Sequence, residues 1–321
     1  MKWLSDDKLD HLRTLVANPD FSSTRYTFVK ELARGGMGTV YLAKDPELDR
    51  HVAIKVLNTP DVTDDLCNRM VREAQIIARL EHPGIVPVHD VGVLPDGRVF
   101  YAMKYVRGSR LDEYAAENSS IRDRLRKFQS VCDAVAFAHA HGVIHRDLKP
   151  QNIMIGSFGE VLVLDWGVAK VLGRESAQVN ADWPSGTIVG TRNYMSPEQA
   201  GGEIDQLDER ADIYSLGAVL YFLLTNKPPG AARPRALNPA VSKAAEAICM
   251  KAMARSAGER YASASELSAD IGHFLDAEPV SAYRESAFER LSRWASKNRF
   301  LVLLVLAYLV MRIFFALTAR P

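Results

Sequence analysis

The sequence has almost no excess charge of either sign and very little cysteine. Its 321 residues include 40 lysines and arginines against 39 aspartates and glutamates, a formal net charge of +1, so we expect no nucleic-acid partner. The three cysteines, Cys67, Cys132 and Cys249, lie far apart. This spacing excludes a cysteine metal site and is typical of reduced thiols in a cytosolic domain. Function must therefore be sought in local motifs.

The chain does have enough apolar character for a large core. Hydrophobic residues make up 47% of it, which suffices for one large core or two lobes. Residues 26–57 alternate in a strand-like way around glycines, which predicts an antiparallel meander, and residues 65–80 carry the apolar stripe of a helix. After Gly108 the chain becomes largely helical. The predicted fold class is α+β, with two lobes joined near residues 104–108.

The most informative motif is residues 145–152, His-Arg-Asp-Leu-Lys-Pro-Gln-Asn. It places an acid (Asp147), a cation (Lys149) and an amide (Asn152) on one short loop. Further along, the string Asp165-Trp166-Gly167 adds a carboxylate just past an apolar strand. Together these groups can move a phosphoryl group from a magnesium nucleotide to a hydroxyl.

A glycine-rich stretch lies between the first two predicted strands. It reads Leu32-Ala33-Arg34-Gly35-Gly36-Met37-Gly38-Thr39-Val40-Tyr41. Glycines there allow backbone N–H groups to approach phosphate oxygens, because no Cβ lies in the way. Alone, such a string is a weak signal, since most similar strings are ordinary turns. It gains weight from the downstream motif Val52-Ala53-Ile54-Lys55.

These motifs, in this order, resemble those of a bacterial serine/threonine protein kinase of the eukaryotic-like (Hanks) type. Lys149 and the segment 190–198, Gly-Thr-Arg-Asn-Tyr-Met-Ser-Pro-Glu, mark the resemblance as serine/threonine rather than tyrosine specific. The resemblance implies a bilobal protein kinase-like fold over residues 26–275. A small antiparallel β-rich N-lobe would span 26–105, and a larger, mainly helical C-lobe would span 109–275.

The resemblance also implies a role for each catalytic residue. Asp147 would orient the attacking hydroxyl, and Lys149 would neutralise the γ-phosphate. Lys55 would hold the α- and β-phosphates, and Glu73, on the following helix, would fix the lysine.

The cofactors that the resemblance implies are ATP and Mg²⁺, with Mn²⁺ as an alternative ion. Asn152 and Asp165 would hold the metal, since Mg²⁺ prefers oxygen ligands and keeps several waters. The ATP pocket would be lined by Leu32, Gly35, Gly36, Gly38, Val40, Ala53, Lys55, Met103, Tyr105 and Val106.

Substrate positioning and scaffolding are implied at further positions. Thr191 would bridge Asp147 and Lys149 where the substrate peptide binds. Glu198, also assigned to substrate positioning, would pair with Arg260 as buried scaffolding. The partners expected are therefore protein substrates.

The resemblance also implies regulation by phosphorylation of the segment between Asp165-Trp166-Gly167 and residues 190–198. Arg146 would read a phosphate on the activation loop, residues 168–189. Within this loop Thr187 is the candidate autophosphorylation site, and a homodimer would allow autophosphorylation in trans. Asp212 would brace the backbone of the catalytic loop.

Three features depart from the family pattern and keep two alternatives open. Ala33 replaces a glycine, Trp166 replaces a phenylalanine, and the segment between Pro229 and Ala244 is short. One alternative is a pseudokinase that acts as a nucleotide-bound scaffold, against which the retained catalytic and metal-binding residues argue. The other is a small-molecule phosphotransferase, which the peptide-positioning segment 191–198 disfavours. The main prediction is an active protein serine/threonine kinase in signalling.

The two flanks of the domain have a different character. Residues 1–25 predict a helical extension, and residues 276–299 a basic juxtamembrane connector. Residues 300–319 are apolar except for Arg312, which is about the length of a bilayer-spanning helix. The alternative is a buried or interfacial helix. We expect membrane localisation, with a single pass near the C-terminus and the kinase domain in the cytoplasm.

Overall fold

The structure is a computed structural model with two lobes. It describes residues 19–35, 38–57, 64–117, 120–166, 170–171, 192–202 and 207–318. The first lobe is an antiparallel sheet with one helix, and the second is mainly helical. The predicted α+β class with two lobes is therefore confirmed.

The N-terminal lobe is built on a five-stranded antiparallel sheet. Its strands are β1 (Thr27–Arg34), β2 (Gly38–Asp45), β3 (Arg50–Leu57), β4 (Val88–Val93) and β5 (Val99–Lys104). They lie in the order β1-β2-β3-β5-β4. Helix α1 (Asp64–Arg79) connects β3 to β4 and packs on β4 and β5. The predicted meander and the helix predicted at 65–80 both form, with ends that differ by only a few residues.

Alternation along the strands divides the side chains of the sheet between two faces. Lys55 is the cross-strand neighbour of Val40 on one side and of Tyr101 on the other. Ala53 pairs with Met103 two residues along. Directly opposite residues and every second residue share a face, so these five side chains lie on one side of the sheet. This inner face belongs to the same apolar cluster as the core of the C-terminal lobe.

The outer face of the sheet has a separate aromatic cluster. Phe21, Tyr26, Tyr41 and Phe100 are buried there, and Phe21 meets the rings of Tyr41 and Phe100 edge to face at 6.3 and 6.5 Å. Residues 19–25 form this cover as turns and bends. Residues 19–25, the described part of the predicted extension 1–25, are not helical, because Phe21 caps the sheet; residues 1–18 lie outside the described residues, so a helix there stays a prediction.

The C-terminal lobe packs around one buried helix. Its helices are α2 (Leu111–Ala116), α3 (Ile121–Ala140), α4 (Pro197–Ala200), α5 (Arg210–Thr225), α6 (Pro234–Leu237), α7 (Lys243–Ala252) and α8 (Ala264–Leu275). Helix α5 is buried along most of its length, because α3, α6 and α7 all contact it. Its nearly unbroken apolar sequence is what such a position requires.

Short strands connect the helices at the boundary between the lobes. They are β6 (Gly108–Arg110), β7 (Val143–Ile144), β8 (Ile153–Gly156), β9 (Val161–Val163) and β10 (Lys170–Val171). Strands β6, β8 and β9 form one sheet, and β7 pairs with β10. Residues 145–152 lie between β7 and β8, so the catalytic motif is held at both ends by short strand pairings.

Serine side chains set the start of several helices. In each case the hydroxyl accepts a hydrogen bond from the backbone N–H three residues on, which satisfies a donor that the helix leaves unpaired. These capping residues are Ser120, Ser196, Ser242, Ser263 and Ser286.

Two further helices follow the C-terminal lobe. They are α9 (Ala287–Lys297) and α10 (Arg299–Thr318). Helix α9 lies within residues 276–299, the predicted basic connector, and Ser286 caps its start. Within the part of the chain that the structure describes, no helix has the combination of length and apolar character needed to cross a membrane. The prediction of a transmembrane helix at 300–319 is not supported.

Candidate active site

The inner face of β3 brings Lys55 to the helix that carries Glu73. Lys55 Nζ donates to Glu73 Oε1 at 2.9 Å and to Oε2 at 3.2 Å, and both residues are buried. Helix α1 turns Glu73 inward because its neighbours Ala74 and Ile77 lie in the core. The structure thus brings together the two residues that were predicted to pair.

Asp165 joins this pair from the other lobe. Its Oδ1 lies 2.8 Å from Lys55 Nζ, while its side chain is 46% exposed. Burial opposes the charge of Lys55, but the carboxylates of Glu73 and Asp165 outweigh burial and raise the pKa of Lys55 well above its usual value. Burial likewise opposes the charge of Asp165, and Lys55 lowers the pKa of Asp165. Both groups therefore stay charged at neutral pH.

Tyr101 is a site residue that sequence reasoning missed. Its hydroxyl donates to Glu73 Oε1 at 2.7 Å, and the residue is only 1% exposed. Burial, followed by the charge of Glu73, raises the pKa of Tyr101 well above its usual value, so the hydroxyl remains a donor. The available signal was a tyrosine within the apolar strand β5, since a buried hydroxyl needs a partner.

The catalytic motif forms a compact loop in which its polar groups meet. Lys149 Nζ donates to Asp147 Oδ2 at 2.7 Å. Asn152 Nδ2 donates to the backbone carbonyl of Asp147 at 2.8 Å and to its Oδ2 at 3.1 Å. The predicted acid, cation and amide therefore converge, and both neighbours orient the carboxylate of Asp147.

Asp212 holds the start of this loop from helix α5. Its carboxylate is fully buried and accepts from the backbone N–H groups of His145 at 2.7 Å and Arg146 at 2.8 Å. Burial raises the pKa of Asp212, but hydrogen bonds from His139 and His145 outweigh it and lower that pKa. Arg146 has a φ of 70°, a conformation that costs a non-glycine residue energy. The two hydrogen bonds to Asp212 hold the backbone there.

The loop is also held from the segment after residue 191. Gln199 Nε2 donates to the backbone carbonyl of Arg146 at 2.8 Å. Gln199 itself is fixed by a capping box with Ser196 at the start of α4. On another side of the loop, the ring of Trp166 packs on His145 with centroids 4.5 Å apart. Sequence reasoning placed Ser196 in the peptide-positioning segment but did not find the contact of Gln199.

Glu198 forms an ion pair with Arg260. Arg260 Nη1 and Nη2 donate to the two carboxylate oxygens of Glu198 at 2.6 and 2.8 Å. The arginine also donates to the backbone carbonyls of Arg210, Ala254 and Arg255. Burial raises the pKa of Glu198, and the hydrogen bonds from Arg260 outweigh it and lower that pKa. The contacts of this pair join α4, the start of α5 and the segment before α8.

The glycine-rich stretch has a structural need for glycine as well as a functional one. A Cβ on Gly38 would lie 2.6 Å from the carbonyl oxygen of Val56 on β3, so no larger residue fits there without moving the sheet. Gly35 N–H donates to the Gly38 carbonyl at 2.9 Å, which closes the turn. Gly36 lies outside the described residues.

The remaining residues predicted for the ATP pocket surround the same inner face. Val40, Ala53 and Met103 share the face of Lys55, as the strand register shows. Leu32, on β1, is 37% exposed. Tyr105 and Val106 directly follow β5, at the junction of the lobes. The strand register thus places Val40, Ala53 and Met103 on one surface with Lys55.

The two predicted metal ligands fit the chemistry of Mg²⁺. Asn152 uses its amide nitrogen on Asp147, so its Oδ1 is the atom that would bind a metal. Asp165 offers a partly exposed carboxylate. One amide oxygen and one carboxylate suit Mg²⁺, which completes its shell with waters and substrate phosphates. In the described ranges, no group of three or more His, Cys, Asp or Glu side chains would hold a metal by itself.

Besides Gly36, two predicted residues cannot be placed. Thr187 and Thr191 lie outside the described residues, so the phosphosite and the bridge to Asp147 stay predictions. The short segment after Pro229 is described. It contains α6 and is tied to α5, because Tyr221 donates to the Ala232 carbonyl at 2.7 Å and Asn238 donates to the Leu224 carbonyl at 2.8 Å.

Comparisons with known proteins agree with this arrangement. The family model described as the protein kinase domain matches residues 26–282. The chain is 37% identical to serine/threonine-protein kinase PknB of Mycolicibacterium smegmatis over 278 residues, covering 80% of this chain and 44% of that protein. It is 36% identical to serine/threonine-protein kinase PrkC of Bacillus subtilis over 282 residues, covering 82% and 42%. The chain spans less than half the length of these curated relatives.

Solved structures show the same fold. The crystal structure of the Mycobacterium tuberculosis PknI kinase domain is matched with a TM-score of 0.60 at 28% identity. The match covers 78% of this chain and 96% of that one. A single-residue mutant of the same domain is matched with a TM-score of 0.61 at 27% identity, covering 78% of this chain and 95% of that one.

Proposed function

Because the chain belongs to the protein kinase domain family, whose members use ATP and a divalent metal, we propose that it is a protein serine/threonine kinase. It transfers the γ-phosphoryl group of ATP to Ser and Thr hydroxyls of proteins. The relatives named above are serine/threonine-protein kinases by their descriptions. The residues that distinguish active kinases from scaffolds are all present in this chain, which favours activity.

One observation carries the proposal. Lys55 of the first lobe lies between Glu73 and Asp165, at 2.9 and 2.8 Å, so the phosphate-side lysine is already in place against the second lobe. An arrangement in which Glu73 pointed to solvent would leave Lys55 without this partner. This contact between the lobes supports the proposal that the site positions phosphates for transfer.

The residues of the chain supply positioning and charge. Lys55 binds the α- and β-phosphates, and Glu73 with Tyr101 orients the lysine. Asp147 orients the substrate hydroxyl and accepts its proton at a carboxylate oxygen, while Lys149 stabilises negative charge on the transferred group. Mg²⁺, held by Asn152 and Asp165, would neutralise charge on the phosphates.

The test is phosphate incorporation from labelled ATP with Mg²⁺ by the full chain. Asp147→Asn should reduce incorporation by at least ~10²-fold, because the hydroxyl loses its proton acceptor. The matched control is Asp276→Asn, an exposed aspartate after α8, which should keep wild-type activity. Phosphate on Ser or Thr supports the proposal. Nucleotide binding without any transfer, to proteins or to metabolites, would support the scaffold alternative instead.

Autophosphorylation is a second part of the proposal. It rests on the sequence, in which Thr187 lies between the metal-binding Asp165 and the peptide-positioning segment, and on Arg146 beside the catalytic acid. Transfer would occur between two copies of the chain. Mass spectrometry of the wild type mixed with an inactive Asp147→Asn chain tests this, since phosphate on Thr187 of the inactive copy requires transfer in trans.

Membrane attachment is a third part of the proposal. The apolar sequence of residues 300–319 and the exposed apolar side chains of α10, among them Leu303 and Leu304, support it, and basic residues before it favour a cytoplasmic kinase domain. The test is membrane fractionation of the full chain beside a chain that lacks residues 300–321. Unchanged fractionation after the deletion would contradict the proposal.

A further inference from the structure

Helix α9 carries an apolar stripe that is turned to the outside. The side chains of Phe288, Leu291 and Trp294 are 79%, 61% and 50% exposed. Residues three apart are neighbours on a helix surface, so the three form one continuous patch, here called the α9 apolar face. Exposed aromatic and aliphatic side chains grouped in this way mark an interaction site more often than scattered ones do.

The opposite side of α9 is bound to the kinase domain. Glu289 lies two residues before Leu291, which places the two side chains on nearly opposite sides of the helix. The Oε1 atom of Glu289 accepts a hydrogen bond at 2.8 Å from the Nζ of Lys243, which lies at the start of α7. The hydroxyl of Tyr283 donates to both carboxylate oxygens at 2.9 and 3.0 Å.

The carboxylate of Glu289 stays charged at neutral pH. The hydrogen bond from Lys243, with those from Ser286 and Tyr283, lowers the pKa of Glu289 to about 2. A second ion pair joins Arg293 to Glu285 at 2.9 Å. The rotation of α9 about its own axis is therefore set by its polar side, and the α9 apolar face is held away from the C-terminal lobe.

Positive charge lies along one edge of the α9 apolar face. Arg290, Arg293 and Lys297 follow one another at helical spacing, and Glu289 is the single acidic residue in the sequence of the helix. Arg293 is paired with Glu285, and Lys297 lies 3.4 Å from Glu278, so Arg290 contributes most to the basic edge. Arg290 is exposed. An apolar stripe beside a basic edge complements a surface that offers both acyl chains and negative headgroups.

We infer that the α9 apolar face lies in the headgroup region of an anionic phospholipid bilayer, with α9 parallel to the membrane surface. A helix with Phe, Leu and Trp on one side and Lys and Arg on the other takes this position. Helix α10 begins at Arg299, directly after α9, so apolar surface continues along the chain. The inference rests on the proposed membrane attachment for the presence of a bilayer. It adds that α9, docked on Lys243, fixes the orientation of the catalytic lobe.

The test uses the full chain with vesicles of phosphatidylcholine, with or without phosphatidylglycerol. Lipids brominated near the headgroup or near the chain end report the depth of a tryptophan by quenching its fluorescence. Trp294→Phe isolates the signal of Trp294 from the other tryptophans. Flotation of the same samples measures attachment through any segment.

We expect Trp294 to be quenched in anionic vesicles, more by bromine near the headgroup than near the chain end. The double change Phe288→Ser/Leu291→Ser should abolish this quenching. The matched control is Phe158→Ser, since Phe158 is 96% exposed in the turn between β8 and β9, and it should leave the quenching unchanged.

Three results would overturn the inference. Flotation without quenching of Trp294 would show that attachment occurs while the α9 apolar face stays out of the lipid. If the chain does not float with the vesicles, both the proposed membrane attachment and the inference about α9 are contradicted. A change in Trp294 emission that depends on protein concentration and not on lipid would assign the face to a second copy of the chain.

Discussion

Two ion pairs of this chain, Lys55–Glu73 and Arg260–Glu198, differ in what surrounds them. Among the described residues, the buried pair Lys55–Glu73 has side-chain partners, Tyr101 on the glutamate and Asp165 on the lysine. Arg260–Glu198 adds three backbone carbonyls, all accepting from the arginine. The first pair meets a group from the opposite lobe that is itself partly exposed. The second ties together three segments within one lobe.

This difference separates a functional pair from a structural one. A buried ion pair recovers little net stability, because desolvation offsets most of the attraction. Lys55–Glu73 is therefore expected to add little net stability, which agrees with the proposed role of Lys55 at the phosphates. Arg260 also donates to backbone carbonyls of three residues, so its removal disturbs backbone contacts as well as the pair.

The largest effect is expected from removal of the first pair as a unit. The triple change Lys55→Met/Glu73→Leu/Tyr101→Phe removes all three buried polar groups together. Activity should fall by about 10²–10³-fold or more, since a preorganised charge on the phosphates is lost. The free energy of unfolding should stay unchanged or rise, because apolar replacements of buried ion pairs are often neutral or stabilising. Transfer assays and urea unfolding check this; clear destabilisation would place the pair in the scaffold.

The opposite pattern is expected for the second pair. Arg260→Met/Glu198→Leu should lower the free energy of unfolding by about 1–3 kcal/mol, because backbone carbonyls around Arg260 lose a buried donor. Urea unfolding measures the loss. An unfolding midpoint equal to that of the wild type would contradict the structural role. Activity measured well below the unfolding midpoint should fall less than in the triple variant.

A smaller effect is expected at Tyr101 alone. Tyr101→Phe keeps the ring and removes the hydrogen bond to Glu73, so kcat/KM for ATP should fall about tenfold, equivalent to ~1.4 kcal/mol. The matched control is Tyr26→Phe, since the hydroxyl of Tyr26 donates to Asp90 at 3.0 Å on the outer face of the sheet. The control should keep wild-type kinetics. Equal kinetic losses in both variants would mean that Tyr101 acts only through stability.

The smallest effect concerns acid stability. Because the pKa of Glu198 is lowered from its ordinary value of 4.5, its charge stabilises the fold above that value, and this stability is lost as pH falls through the folded pKa. The pKa of Lys55 is raised from 10.5, so its contribution is fully present below 10.5 and is lost only as pH rises through the folded pKa. Urea unfolding from neutral pH to about pH 3 should show a shallower decline in Glu198→Gln than in the wild type. Parallel curves would argue against this linkage.

Much of the fold and most of the site were predictable because they depend on short stretches of sequence. The period-two alternation of residues 26–57 and the stripe of α1 reflect local geometry, and so do the motif residues around Asp147. Tyr101 was missed because its role depends on the register of β5 against β3 and on the distance to α1. The role of Phe21 was not predicted, because only the finished sheet offers it an apolar surface to cover.

By itself the sequence determined the strands, the serine-capped helices and the identity of the charged groups, since each depends on neighbours within a few residues. The tertiary structure alone decided which charges meet. Lys55 and Asp165 are 110 residues apart in sequence, and Arg260 and Glu198 are 62 apart. Chain closure over such lengths is driven by burial of the apolar core, and packing of that core then selects the partner of each charge. The outward face of α9 was decided in the same way, because Lys243 and Tyr283 hold its polar side against the lobe.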